Sequence, residues 1–259
     1  KKYSEAILAI QEIQKLNTSV IFLYRILAYA YFETGNCADG ITAIEQFFLK
    51  ANEKKILASD YEYYGKLLSK CGKDSLAIEK LKQAVTRDTG KIELYGEMGN
   101  CYMKMKKYPE TIDAFNKKIK GEKGIDVNDY YVLGRAYFYS KQCGKADTAF
   151  MQIIILRPDI PTGYLWRAKA NTCLDPDSKN GLAKPFYESF ISKLKSEELD
   201  KNKNYLIETY DYLGYFYMLQ KDYENAKCSY NKLKELDPNN VKAKKALAEP
   251  NVAKAVCSQ

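Results

Sequence analysis

Residues 130–158 read YYVLGRAYFYSKQCGKADTAFMQIIILRP, and this stretch decides the fold. Tyr130, Leu133 and Tyr137 recur at helical spacing and share one face of a first helix, while Phe150 sits in a second apolar segment. The small residues Gly134 and Ala146 let two antiparallel helices approach closely, and the large side chains fill the space around that contact. Pro158 ends the second helix because it cannot donate the next backbone hydrogen bond. One such helix pair cannot bury its own apolar faces, so it predicts neighbours of similar length.

The chain supplies them. Ala28, Gly65, Gly99, Gly134, Ala168 and Gly214 take the place of the small marker residue, at intervals of 37, 34, 35, 34 and 46 residues. The long interval contains a visible insertion, LDPDSKNGLAKP at 174–185, before Tyr187 and Phe190 resume the pattern. In that insertion Asp175-Pro176 reads as an N-cap followed by a helix-starting proline. Asn171 stands where an aromatic residue is expected, and SEELDKNKN at 196–204 reads as a linker or an early helical extension. The expected units are a half unit at 1–17, six pairs at about 21–57, 58–91, 92–126, 127–160, 161–206 and 207–240, a capping helix at 241–248 and a frayed or weakly docked tail at 249–259. Residues 1–17 resemble a second helix without its first, so the sequence is read as a fragment, a processed form or a design lacking its natural start. Any targeting signal would have gone with the missing residues.

Composition excludes much. Hydrophobic residues make up 46% and charged residues 29%, which suits a soluble globular chain. No apolar run approaches the roughly 20 residues of a membrane span. The net charge of +8 comes from 41 basic residues, of which Arg25, Arg87, Arg135, Arg157 and Arg167 are the arginines, leaving 41 − 5 = 36 lysines among 33 acidic residues. Base and phosphate recognition favours arginine forks, so the charge argues against a nucleic-acid partner. The cluster Lys104, Lys106, Lys107, Lys117, Lys118, Lys120 and Lys123 is diluted by Glu110, Asp113 and Glu122 and reads as a solvated face. There is no histidine, which removes Ser-His-Asp and Cys-His catalysis and His-ligated metals. None of the seven cysteines forms a C-x-x-C pair, so no thiolate metal site is expected, and they read first as small buried thiols. No cofactor is implied.

The marker residues resemble the tetratricopeptide repeat, W-x2-L-G-x2-Y…A-x3-F…P, with Tyr130 in place of the opening Trp. The resemblance covers nearly the whole chain. It implies an all-α fold, a right-handed α-α superhelix whose first helices line a concave groove, with no catalytic activity of its own. The segment DPDS…GLAKPFYESFI and the long sixth helix also look like repeat proteins of Bacteroidetes, many of them exported, which favours an exported or periplasmic location.

In that family, positions two, five, nine, twelve and thirteen of each first helix face the groove. Position nine, counted from the marker as eight, gives Tyr29, Lys66, Asn100, Arg135, Lys169 and Tyr215, a ladder of donors with an aromatic residue at each end. Neighbouring positions add Met103, Tyr131 and Phe138. The resemblance implies another protein or peptide as partner, an extended segment carrying acid or carboxylate groups: Lys66, Arg135 and Lys169 would supply charge and Asn100 would bond its backbone. Alternatively these are the ordinary polar residues of a solvated inner face, with the convex face making contact, or the tyrosines are platforms for a glycan or small ligand, as Tyr215 beside Asp211 would be. Oligomeric state is left open. Adjacent turns stack in such an array, so Cys37–Cys71 and Cys143–Cys173 are the pairs to test for bridging, and bridges would favour an exported protein.

Overall fold

The computed structural model describes residues 2–16, 20–121 and 126–257. Lys1 and Asn17 of the expected half unit, Glu122 and Lys123 of the lysine cluster, and Ser258 and Gln259 of the tail lie outside the described residues. Every described regular element is helical. The chain divides into two compact units, 1–125 and 126–259.

In the first unit a single helix, α1 (Tyr3–Leu16), precedes three antiparallel pairs: α2 (Phe22–Thr34) with α3 (Cys37–Lys50), α4 (Ala58–Lys70) with α5 (Asp74–Arg87), and α6 (Leu94–Lys104) with α7 (Tyr108–Gly121). In the second unit the pairs are α8 (Val127–Tyr139) with α9 (Cys143–Leu156), α10 (Pro161–Leu174) with α11 (Lys184–Lys193), and α12 (Lys203–Leu219) with α13 (Tyr223–Leu236). Two short helices follow, α14 (Val241–Leu247) and α15 (Pro250–Lys254).

The marker glycines mark close contacts between paired helices. A Cβ at Gly134 would stand 2.5 Å from the ring of Phe150, at Gly99 2.6 Å from Phe115, and at Gly65 2.7 Å from Leu81. Phe150, Phe115 and Leu81 are fully buried. The turns inside five of the pairs pass through a left-handed residue, Gly35, Gly72, Lys106, Lys141 or Lys221. First helices also share a device at their start. Asp60 and Asp129 each sit three residues in and reach back to accept the N–H of Leu57 (2.7 Å) and Asp126 (3.2 Å).

Three features depart from the sequence reading. Asp175 does not cap a following helix; no helix begins at Pro176, and its buried carboxylate accepts the N–H groups of Asn180 (3.0 Å) and Leu182 (3.4 Å), folding the insertion back on itself. The tail is docked: Glu249 accepts the N–H groups of Asn251 and Val252 to start α15, Val252 is fully buried, and Lys227 donates to the carbonyls of Ala253 (2.8 Å) and Ala255 (2.7 Å). Six of the seven cysteines are bridged rather than buried thiols: the two pairs named for testing, Cys37–Cys71 and Cys143–Cys173, and a third that the sequence reading did not name, Cys228–Cys257, with Cα separations of 5.7, 6.1 and 5.1 Å. The first two join the start of one second helix to the end of the next first helix, where stacking brings the turns together. Cys101 stays a thiol; its burial pushes the pKa up to about 11, which leaves it a poor nucleophile.

Candidate functional site

In the first unit the inner positions are occupied by contacts within the unit. Arg25 grips the fully buried carboxylate of Asp60 with both Nε (2.7 Å) and Nη2 (2.8 Å), and Tyr29 donates to the same group at 2.6 Å. Burial and this bond to Asp60 raise the Tyr29 phenol well above its ordinary pKa, and its ring stacks on Tyr63 at 3.8 Å. Lys66 pairs with Glu62, one turn back on α4, at 2.6 Å, and Lys91 reaches the other oxygen of Glu62, also at 2.6 Å. Burial pushes the Glu62 carboxyl up, but the two ammonium groups outweigh it and hold the pKa below the usual glutamate value. Asn100 and Met103 are half-buried on α6. In the lysine cluster Lys104 pairs with Asp74 and Lys117 with Asp113.

The second unit arranges its inner residues differently. Tyr131, Arg135 and Phe138 on α8 converge on the buried Trp166 of α10. The Arg135 guanidinium lies 5.2 Å from the Tyr131 ring, 5.4 Å from Trp166 and 5.7 Å from Tyr139. Among the described residues it has no carboxylate partner, and its Nε is buried without a hydrogen bond. A guanidinium held by ring faces stays charged and stays available to an anion. Lys169 is not available in the same way: it pairs with Glu208 of α12 and lies over the Trp166 and Tyr205 rings. Asn171, the departure from the aromatic pattern, donates to Asp147 at 2.6 Å beside the two bonds from Arg167, so it belongs to a structural network.

Tyr215 lies apart from Arg135, on the wall of a cavity of about 920 Å³ between α10, α12 and the C-terminal helices. Asp211, Tyr212 and Met218 of α12 line it with Lys242 and Lys245 of α14. The sequence reading named Tyr215 and Asp211 and expected a capping helix at 241–248, but had no means of seeing the cavity that this helix encloses with α10 and α12. No metal-binding group of three or more His, Cys, Asp or Glu side chains occurs among the described residues, and none of their helices is long and apolar enough to cross a membrane.

The family model of the tetratricopeptide repeat matches residues 207–240. The solved C-terminal part of a TPR repeat-containing protein from Cytophaga hutchinsonii is 38% identical, covers 95% of this chain and 94% of its own, and superposes with a TM-score of 0.82. The chain belongs to the tetratricopeptide repeat family. Two more distant members show the same fold. YrrB, described as a TPR protein with an unusual peptide-binding site, is 18% identical over 79% of this chain and 95% of its own, with a TM-score of 0.60. MamA is 23% identical over 70% of this chain and 94% of its own, with a TM-score of 0.58. No curated protein matches the sequence at a significant level. Tetratricopeptide folds are typically scaffolds for protein–protein interaction, and generally non-catalytic ones. The Cytophaga relative fits the bacterial, Bacteroidetes-like character of the insertion and sixth helix.

Proposed function

We propose that this chain is a non-catalytic scaffold that holds an extended segment of a partner protein on the inner face of its first helices, with an acidic or carboxylate group of that segment on Arg135. The observation that carries this reading is the state of Arg135: a charged fork fixed by Tyr131, Tyr139 and Trp166, with no acid among the described residues to satisfy it. Lys66 and Lys169, the other cations of the ladder, are neutralised by Glu62 and Glu208 and contribute less. Tyr131 and Phe138 offer the apolar contacts beside the charge. The peptide-binding site named for YrrB supports such a use of the fold. The three bridges support work in an oxidising compartment, such as the periplasm.

A random peptide display selection tests the reading. Enriched peptides should carry Asp, Glu or a free C-terminal carboxylate, and their affinity should fall about ten- to hundredfold in Arg135→Gln, the loss of one charge-assisted contact. Selected peptides that bind Arg135→Gln as tightly as the parent would overturn it.

A further inference from the structure

The cavity beside Tyr215 has a chemistry unlike that of Arg135. Its carboxylates are already engaged. Asp211 accepts from Lys242 at 2.5 Å, Glu208 from Lys169 and from Tyr187 (3.2 Å), and Glu249 from the start of α15. The lining carries three acids and two lysines, Lys242 and Lys245, and Lys169 from outside the lining neutralises Glu208, so no net charge is left to attract an ion. The neutral polar groups are the ones left over. The Tyr212 hydroxyl, in a side chain only 8% exposed, lies near Ser178 and the backbone of Ala183 and Lys184 without hydrogen-bond geometry to any of them. Tyr230, buried on the same wall, is a phenol at neutral pH, and burial pushes its pKa further up, to about 12. Tyr215, by contrast, is a lining residue that is 48% exposed.

We infer that this cavity is a binding site for a neutral saccharide. A sugar ring has one face of C–H groups, which suits the exposed Tyr215 ring, and an edge of adjacent hydroxyls that both donate and accept. The Asp211–Lys242 pair offers an acceptor and a donor side by side, the complement of two neighbouring hydroxyls. The cavity volume of about 920 Å³ is near the top of the usual range for small-molecule sites and admits more than one ring. One wall is the C-terminal cap, fastened by Val252, by Lys227 and by the Cys228–Cys257 bridge. The cap therefore completes a site.

The test is calorimetric titration of the oxidised chain with maltohexaose, cellohexaose, xylohexaose and mannohexaose, repeated on Tyr215→Ala, Tyr215→Phe and Arg135→Gln. At least one neutral hexasaccharide should bind. Tyr215→Ala should weaken it at least tenfold, Tyr215→Phe should keep most of the affinity, and Arg135→Gln should leave it unchanged. Binding by none of the four, or binding that survives Tyr215→Ala in a chain with parental circular dichroism, overturns the inference. A display-selected peptide that needs Tyr215, with no saccharide bound, assigns the cavity to the partner segment and overturns it as well. Loss with Arg135→Gln alone bears on the partner-segment reading and not on this one.

Discussion

The inner faces of the two units start from the same plan and end in different electrostatic states. Each unit has a bidentate Arg–Asp pair, Arg25–Asp60 between two first helices in the first and Arg167–Asp147 between a first and a second helix in the second, and each places a cation at the ninth position of a first helix. The residue four positions earlier separates them. Ahead of Lys66 stands Glu62, which closes a one-turn ion pair; ahead of Arg135 stands Tyr131, which gives a ring and no charge. A cation in such a fold is open to a partner when its own helix withholds the acid.

The largest expected contrast is in the Arg–Asp pairs. Asp60 is fully buried whereas the Asp147 side chain is 21% exposed. Asp60→Asn, which leaves Arg25 without its anion, should cost about 3–5 kcal/mol in urea unfolding. Asp147→Asn, where water can replace the lost bonds, should cost about 1–2 kcal/mol. Equal losses would mean that burial does not separate the pairs. Next, Tyr131→Glu copies the Glu62–Lys66 arrangement onto α8. It should lower affinity for the selected acidic peptides at least tenfold, about 1.4 kcal/mol, while Arg135 itself is retained; undiminished affinity would break the comparison.

In the converse experiment, Glu62→Gln releases Lys66 and Lys91. Because the folded pKa of Glu62 is depressed, its stabilisation is present above the unfolded value of about 4.3 and is lost as pH falls through the lower folded value. The variant should be about 1 kcal/mol less stable than the parent at pH 7, with the gap closing as pH falls below the unfolded glutamate value. A gap independent of pH would rule out the ion pairs as its source. The smallest effect concerns the turns. Lys141 holds a left-handed conformation at φ 61° where Gly35 and Gly72 do the same work in the first unit. Lys141→Gly should stabilise by about 0.5–1 kcal/mol in thermal unfolding, and destabilisation would argue against strain there.

The fold was legible because packing writes itself into the sequence at fixed intervals: Gly134 against Phe150 and Gly99 against Phe115 are visible as a small residue and a large one sixteen positions on. The state of the site was legible only where it is local. Glu62 and Lys66 are one turn apart and can be read together; Glu208, which neutralises Lys169, lies 39 residues away on the next first helix. Trp166 reads as an ordinary first-helix aromatic, and only the fold gathers Tyr131, Arg135, Phe138 and Tyr139 around it. Asp175 followed by a proline carries a helix-start signal that the tertiary structure overrides, because its carboxylate has two loop N–H groups to satisfy. Cys228–Cys257 was illegible for another reason: it joins a second helix to a tail with no repeat register to place it.

The bridges also have an order. Along the chain the cysteines run 37, 71, 101, 143, 173, 228 and 257, and each bond joins a cysteine to the next one, with Cys101 passed over. For a polypeptide that meets an oxidant from its N-terminus onward, Cys37 can close on Cys71 before Cys101 arrives. The loops of 34, 30 and 29 residues neither cross nor nest. Correct pairing is then a matter of timing, and an isomerase has little to undo.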